Sequence, residues 1–380
     1  MHLLLSSTRL GFVSALFIFM ACPSGSSAGQ APVSSQATWE KLVQAAEKEG
    51  EVRVYATNSV GNLPIIWQTF QKRFPKIKLT PVTPGRGNEV ILLLSSERRA
   101  GKYLADVLLA NPRAVYRDFH GKAKVLAPLP PILVHPEVRA SHWWQGKHWY
   151  NDEEGAHVFI YESSIFGPNL YYNTKLVDPK EIKSTWDVLQ PKWKGKMLAF
   201  DIVGSGQTGS TALTLLYHNP DVGPKFLERL YGEMDTTLFR NLQQGTDWLA
   251  AGKFSFCLLC RDVQRAAEQG LPVAELDPYQ LKEKVGIGAG SGALGMLKDA
   301  PHPNAAAVFI NWYLSREGQI AYKQANMDED DRASLREDLP AELVAPAARR
   351  RKGVEYIFIN RPEWVDFQPI SDLIRKATGK

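Results

Sequence analysis

Two hydrophobic rhythms take turns along the chain. Trp39 to Lys48 carries apolar residues at helical spacing, and Gly50 closes it before Glu51-VRVYAT, which reads as a strand. Leu63-PIIWQTFQKRF reads as a helix with Pro64 in its first turn, and Pro75-KIKLTPVT as a strand. Asn88-EVILLLSSERRAGKY follows as a helix and Ala105-DVLLA as a strand. Two strand-like runs, HVFIY and NLYYN, lie between Ala156 and Asn173. The pattern then starts again. Ser184-TWDVL is a capped helix, Lys196-MLAFDI a strand, Ser210-TALTLLY and Phe226-LERLYG helices, and Lys253-FSFCLL a strand. Gly286-IGAGSGALGML is extended, and Asn304-AAAVFINWYLSREGQIAYKQ reads as one long helix. A charged tail begins near Asp328, and a short helix over Ser371 to Lys376 ends it. Strands alternating with helices predict an α/β fold with parallel sheets. No internal repeat is visible.

With 380 residues, 44% of them hydrophobic, the chain can bury a large core and has the length of about two domains. The net charge of +5 is mild. Its most basic run, Arg349-Arg350-Arg351-Lys352, reads as a solvated face, and no long basic stripe with interleaved aromatics points to nucleic acid. The first residues change the picture more. Arg9 precedes the apolar Leu10-GFVSALFIFMA, and small residues follow up to Ala31. The run is shorter than the ~20 residues of a membrane span. Residues 1–28 therefore read as a secretory signal peptide, and the mature chain as a soluble periplasmic protein. Anchoring as a lipoprotein at Cys22 is the lesser reading, because Phe19 and Met20 fit a lipoprotein box poorly.

Five strings fall in an order that resembles a known family. They are Val52-RVYATNS, Gly87-NEVILLLSSERRAGKYLADVLLA, Leu170-YYNTKLV, Ala300-PHPNAAAVFINWYLSREGQ and Ser334-LREDLP. The chain resembles the extracellular solute-binding proteins of ABC importers, in the branch typified by ferric-ion binders. The resemblance implies an α/β, two-lobed type II periplasmic-binding-protein architecture, with discontinuous lobes joined by hinge strands. Residues 38–165 plus 286–380 would form lobe 1 with the C-terminal helices, and 166–285 lobe 2. It implies a monomer without enzymatic activity or cofactor. Its partners would be a small solute held between the lobes and an ABC permease in the inner membrane.

Ferric binders of that branch hold the metal with a histidine, a glutamate and two adjacent tyrosines. The matching places here read Ser59, Asn111 and Cys260-Arg261. Tyr171-Tyr172 is not that pair, since adjacent residues of a strand point to opposite faces. No metal ligand is assigned on this ground. The replacements are neutral donors and a guanidinium fork, which suit carboxylate or phosphate. The candidate ligand set is Thr57, Asn58, Ser59, Arg86, Asn111, Tyr172, Ser205, Gly206 and Arg261. The solute expected is a small anion: an organic phosphate, a carboxylate or a ferric chelate. Iron uptake with a bare ferric ion stays as the alternative. Plainer roles stay open too: Asn58 shaping a turn, Arg86 pairing with Glu89, Arg261 with Asp262, and Tyr172 packing at the hinge.

Two rival signals remain. Gly204, Gly206 and Gly209 have dinucleotide-site spacing between a strand and a helix. The acidic residue such a site needs about 20 positions on would be Glu228, inside a helix rather than at a strand end. Cys257-LL-Cys260 could serve an exported thiol-disulfide oxidoreductase. If residues 257–260 stay extended, the sulfurs lie about 10 Å apart on opposite faces, which favours two free buried thiols over a disulfide. His142, His148 and His157 are scattered among tryptophans and do not read as a metal triad.

Overall fold

The computed structural model describes residues 36–57, 60–85, 87–207, 209–326 and 332–379. The predicted leader, Cys22, the acidic run from Asp328 and the candidate ligands Asn58, Ser59 and Arg86 lie outside the described residues.

The first rhythm folds as its pattern predicts. Helix α1 (Gln36–Glu49) buries Trp39 and Ala46, two turns apart on one face. Gly50 ends it at a left-handed φ of 71°, its N–H donating to the Ala46 carbonyl at 2.9 Å. Strand β1 (Glu51–Ala56) leads to α2 (Leu63–Arg73), which buries Ile66 and Phe70 one turn apart. Then come β2 (Lys78–Val82), α3 (Gly87–Arg99) and the wholly buried β3 (Val107–Ala110). Asn111 caps the short turn α4 (Pro112–Ala114), which widens into a π-type helix over Val115–Lys122. Strands β4 (Leu126–Ala127) and β5 (Phe159–Ile160) complete this part.

Strand β6 (Glu162–Phe166) carries the chain across to a second core. There β7 (Leu170–Asn173), β8 (Met197–Phe200), α5 (Thr211–His218), α6 (Pro224–Gly232), β9 (Thr237–Phe239), α7 (Leu242–Ala250), β10 (Phe256–Leu258), α8 (Val263–Glu268) and β11 (Val273–Glu275) follow. Strand β12 (Val285–Gly288) returns, and β13 (Ala293–Leu297) re-enters the first sheet. The predicted long helix is two, α9 (Pro303–Leu314) and α10 (Arg316–Gln324). Ser315 breaks it with ψ 171° and caps the second by accepting from the Gly318 N–H. Strands β14 (Arg332–Ser334) and β15 (Tyr356–Phe358) and helix α11 (Gln368–Thr378) end the chain.

Among the described residues the strands form three sheets. The first runs β2-β1-β3-β13-β4, with β5 on β13; the second runs β9-β8-β10-β7-β11. Each holds three parallel strands beside an antiparallel one, β13 or β7, that enters from a crossing. The sheets are therefore mixed rather than purely parallel, because the crossing strand runs against its neighbours. The two share one topology although the chain shows no sequence repeat. The third sheet, β14-β6-β12-β15, joins the two crossings, β6 pairing antiparallel with β12.

The two main cores are separate. Val54, Leu108, Phe309 and Trp312 belong to the first; Leu198, Phe226, Phe256 and Leu258 belong to the second. Helix α11 departs from the expectation that residues 286–380 stay with lobe 1. Its Ile370 and Ile374 are buried in the second core, against α6. Its apolar residues lie on one face, and that face is covered only there.

Candidate functional site

In an open α/β sheet the loops at the carboxyl ends of the central parallel strands gather where strand order reverses. Here those loops leave β1 and β3 on one side and β8 and β10 on the other. A cavity of about 500 Å³ opens among Asn111 and Arg113, Asn151, the 206–214 segment, Ala289 and Gly290, and the 359–365 tail. Arg113, Gly206, Gln207 and Val365 also line an adjoining cavity of about 530 Å³, which reaches Arg117 and Arg375.

Arg113 stands at the centre of this arrangement. Burial first, and then the neighbouring Arg117, push its guanidinium below the usual range, with Asp366 opposing. Its guanidinium lies 5.8 Å from the Phe367 ring centroid and so close to Gly209 that a Cβ there would collide with Nη1. Gly209 and Ser210 open helix α5. Ser210 caps it, Oγ accepting from the Leu213 N–H at 3.3 Å, and Thr211 and Thr214 face the same cavity. A helix start carries partial positive charge and free N–H groups. A guanidinium beside it leaves two positive features facing one space. The side chains of Asn151 and Thr214 are buried, and among the described residues Asn151 Nδ2 and Thr214 Oγ1 have no hydrogen-bond partner. Arg361 adds a second arginine to the wall. Among the described residues no carboxylate, phenol or imidazole lines this first cavity, whereas Tyr116 and Asp366 line the adjoining one.

The sequence-predicted ligands divide. Asn111 and Gly206 line the cavity. Asn111 also spends its side chain on structure: Nδ2 donates to the Gly290 carbonyl at 2.6 Å, and Oδ1 accepts from the Ala114 N–H at 3.3 Å. Gly206 turns the loop at a φ of 74°. Ser205 sits in that loop, but its Oγ donates to the Ile202 carbonyl, and it does not line the cavity. Thr57 is fully buried at the end of β1, its N–H donating to the Leu109 carbonyl at 3.1 Å. Tyr172 packs in the second core, 7% exposed, and does not line the cavity. Arg261 is exposed outside the lining, its carbonyl accepting from Thr246 Oγ1 at 2.6 Å. Sequence reasoning missed Arg113, Asn151, Ser210, Thr214 and the tail. A signal existed for Arg113: Asn111-Pro112 after an apolar strand marks a helix start at a strand's carboxyl end. None existed for the tail, which Asn360 fixes by bonding both the N–H (2.6 Å) and the carbonyl (2.9 Å) of Ala289.

No family model matches the chain. Among curated proteins it is 23% identical over 207 residues to iron uptake protein A2 of Synechocystis, a match covering 52% of this chain and 54% of the relative. The match thus spans about half the length of that relative. Among solved structures it is similar to a Trichodesmium protein (IdiA, FutA) in complex with iron and citrate ligands. That similarity has a TM-score of 0.60 and 16% identity, over 87% of this chain and 99% of that one. The periplasmic binding protein AfuA of Actinobacillus pleuropneumoniae, with fructose-6-phosphate bound, gives 0.53 and 18%, over 86% and 97%. The chain has the two-lobed fold of the periplasmic binding proteins. Strands β6 and β12 cross between the two cores, and the cavity at Arg113 is lined by residues from both sides of that crossing.

Two further features of this binding-protein fold correct expectations. Cys257 and Cys260 form a disulfide rather than staying free. Strand β10 stops at Leu258, and Leu259, at a φ of 65°, turns the chain so that the two Cα atoms lie 5.8 Å apart. The pair is 0% and 5% exposed, so an outside thiol has no ready access to it. The histidines are also less scattered than they read. His157 joins His120, Asp152 and Glu154 in one cluster, whereas His148 is half-buried against Trp143 and Phe159.

Proposed function

We propose that the chain is the solute-binding receptor of an ABC importer, capturing a small anion in the interlobe cleft and delivering it to a permease. The observation that carries this reading is the lining: two arginines and a helix start, with no acidic side chain among the described residues. Arg113 and the first N–H groups of α5 hold the anion from opposite lobes, and Asn151 and Thr214 supply the donors left unpartnered inside. An anion bound there relieves the burial that disfavours the Arg113 cation. It also joins the lobes, and a ligand that touches both stabilises the closed shape a transporter recognises. We assign residues 38–165 and 286 to about 365 to one lobe, and 166–285 with α11 to the other. Function is binding and release, without catalysis, in the periplasm.

Iron enters this reading as a chelate. A bare ferric ion needs anionic oxygen ligands or imidazoles; the first cavity presents none among the described residues, and the adjoining one presents only Tyr116 and Asp366. A ferric complex of a polycarboxylate presents carboxylate oxygens to Arg113 instead. The similarity to one protein described with iron and citrate, and to another described with a sugar phosphate, supports an anionic ligand of this size. A thermal-shift panel of citrate, ferric citrate, fructose 6-phosphate and inorganic phosphate tests the class. A ligand at one hundred times its Kd adds about 2.7 kcal/mol, worth several degrees. The proposal fails if no anion raises Tm while ferric ion from a weak chelator does.

A further inference from the structure

Two histidines and two carboxylates, one from residue 120 and three from residues 152–157, meet on the first lobe beside the cleft. One donor atom each from His120, Asp152, Glu154 and His157 lies within 4.8 Å of all the others. His120 comes from the π-type helix Val115–Lys122, a helix form that recurs at functional sites. The other three come from the loop after Asn151, which itself lines the cavity.

We propose that His120, His157 and Glu154 bind one first-row divalent transition-metal ion, with Asp152 orienting His157 from behind. The roles follow from the hydrogen bonds. Asp152 is fully buried in its side chain and accepts from the Ala156, His157 and Val158 N–H groups at 2.9, 3.0 and 2.8 Å. Its Oδ1 also meets His157 Nδ1 at 3.2 Å. Its lone pairs are committed, so it acts through His157: an imidazole bound to a carboxylate at Nδ1 presents the Nε2 lone pair to a metal. His120 Nε2 lies 3.0 Å from Glu154 Oε2, and the two imidazole rings stack tilted with centroids 4.6 Å apart. Ligand atoms about 2.0–2.2 Å from a zinc-sized ion must sit closer together than 4.8 Å, and the exposed Glu154 side chain is the one free to close that gap. Two imidazoles and one carboxylate form a nitrogen-oxygen set that favours zinc, iron, nickel or copper over calcium. The site is separate from the cleft, since none of its ligands lines either cavity there. Its ion would stiffen the loop that presents Asn151.

The test is calorimetric titration of the chelator-stripped mature chain with zinc ion alone, backed by the visible spectrum of the cobalt-loaded chain. The proposal expects one zinc per chain. His157→Asn and His120→Asn should each weaken binding at least tenfold, and Asp152→Asn about 10- to 100-fold. Glu154→Gln, at an exposed position, keeps the test valid if a histidine variant does not fold. It should weaken zinc binding and change the cobalt spectrum without altering unfolding of the metal-free chain. The proposal is overturned if the wild type takes up no zinc at micromolar concentration, or if Glu154→Gln and His157→Asn both keep wild-type affinity.

Discussion

Glu162 is a buried carboxylate on β6, the strand that crosses between the two cores, and removing its charge should loosen that crossing measurably. It is 0% exposed. Its Oε1 accepts from the Gly290 and Ser291 N–H groups at 2.7 and 3.0 Å, and its Oε2 from the Tyr322 hydroxyl at 2.8 Å. The carboxylate thus ties β6 to the loop between β12 and β13 and to α10. Gly290 lines the cleft and accepts from Asn111, so the same network fixes one wall of the site. Two substitutions separate its parts. Glu162→Gln keeps an oxygen for the two backbone donors, and Tyr322 can turn to accept from the new amide. It loses only the charge assistance, about 2 kcal/mol. Glu162→Leu leaves two half-buried N–H groups and the buried Tyr322 phenol without an acceptor. At about 1–3 kcal/mol each, it should cost roughly 5 kcal/mol.

Urea unfolding followed by tryptophan fluorescence measures both, and the order wild type, Gln, Leu is the expected result. A parallel titration with citrate should show weaker binding in both variants, since Gly290 shifts with the loop. A Leu variant within 1 kcal/mol of wild type would refute the reasoning. It would mean that water or a local rearrangement satisfies these donors.

Two other perturbations have worked signs. Burial among Trp143 and Phe159 lowers the His148 pKa to about 4 from an ordinary 6.5, against the bond to the Val138 carbonyl. The folded value is depressed, so its contribution is present above about pH 6.5 and lost as pH falls through about 4, worth about 3 kcal/mol in all. Urea unfolding at pH 7 and pH 4 should show His148→Gln losing about 2–3 kcal/mol less than wild type over that interval; equal losses would deny the assignment. Replacing both Cys257 and Cys260 by alanine should lower stability by about 2 kcal/mol, the value for so short a loop. An insulin-reduction assay should find no turnover in the wild type, and robust turnover abolished by Cys260→Ser would restore the oxidoreductase reading.

The chain order of elements was legible because apolar periodicity is local. Trp39 and Ala46 mark one helix face, and the apolar Ala105-DVLLA run contains a buried strand. What was hidden depends on long-range contact. Ser315 breaks a helix whose apolar pattern runs straight through it. Helix α11 finds its partner surface on α6, far back in the chain. The repeated sheet topology leaves no sequence repeat, since many apolar sequences fill the same pleats. At the site, Asn111 and Gly206 could be read from strand ends, but Tyr172 could not be told from a core residue. Leu259, a non-glycine at positive φ, is what brings the cysteines together, and nothing in its side chain announces that turn. The glycines at 204–209 announce a turn before a helix start, but their spacing alone could not show that Gly209 faces Arg113, two residues before Val115 of the first core.

The central claim is that Arg113 and the α5 start hold an anion between the lobes. Isothermal titration of the wild type and Arg113→Ala with citrate, ferric citrate and fructose 6-phosphate tests it most directly. A charge-assisted contact of about 1.5–3 kcal/mol predicts that at least one of these binds the wild type and that Arg113→Ala weakens it ~10- to 100-fold. Anion binding that is indifferent to Arg113→Ala, or no anion binding beside tight uptake of unchelated ferric ion, would contradict it.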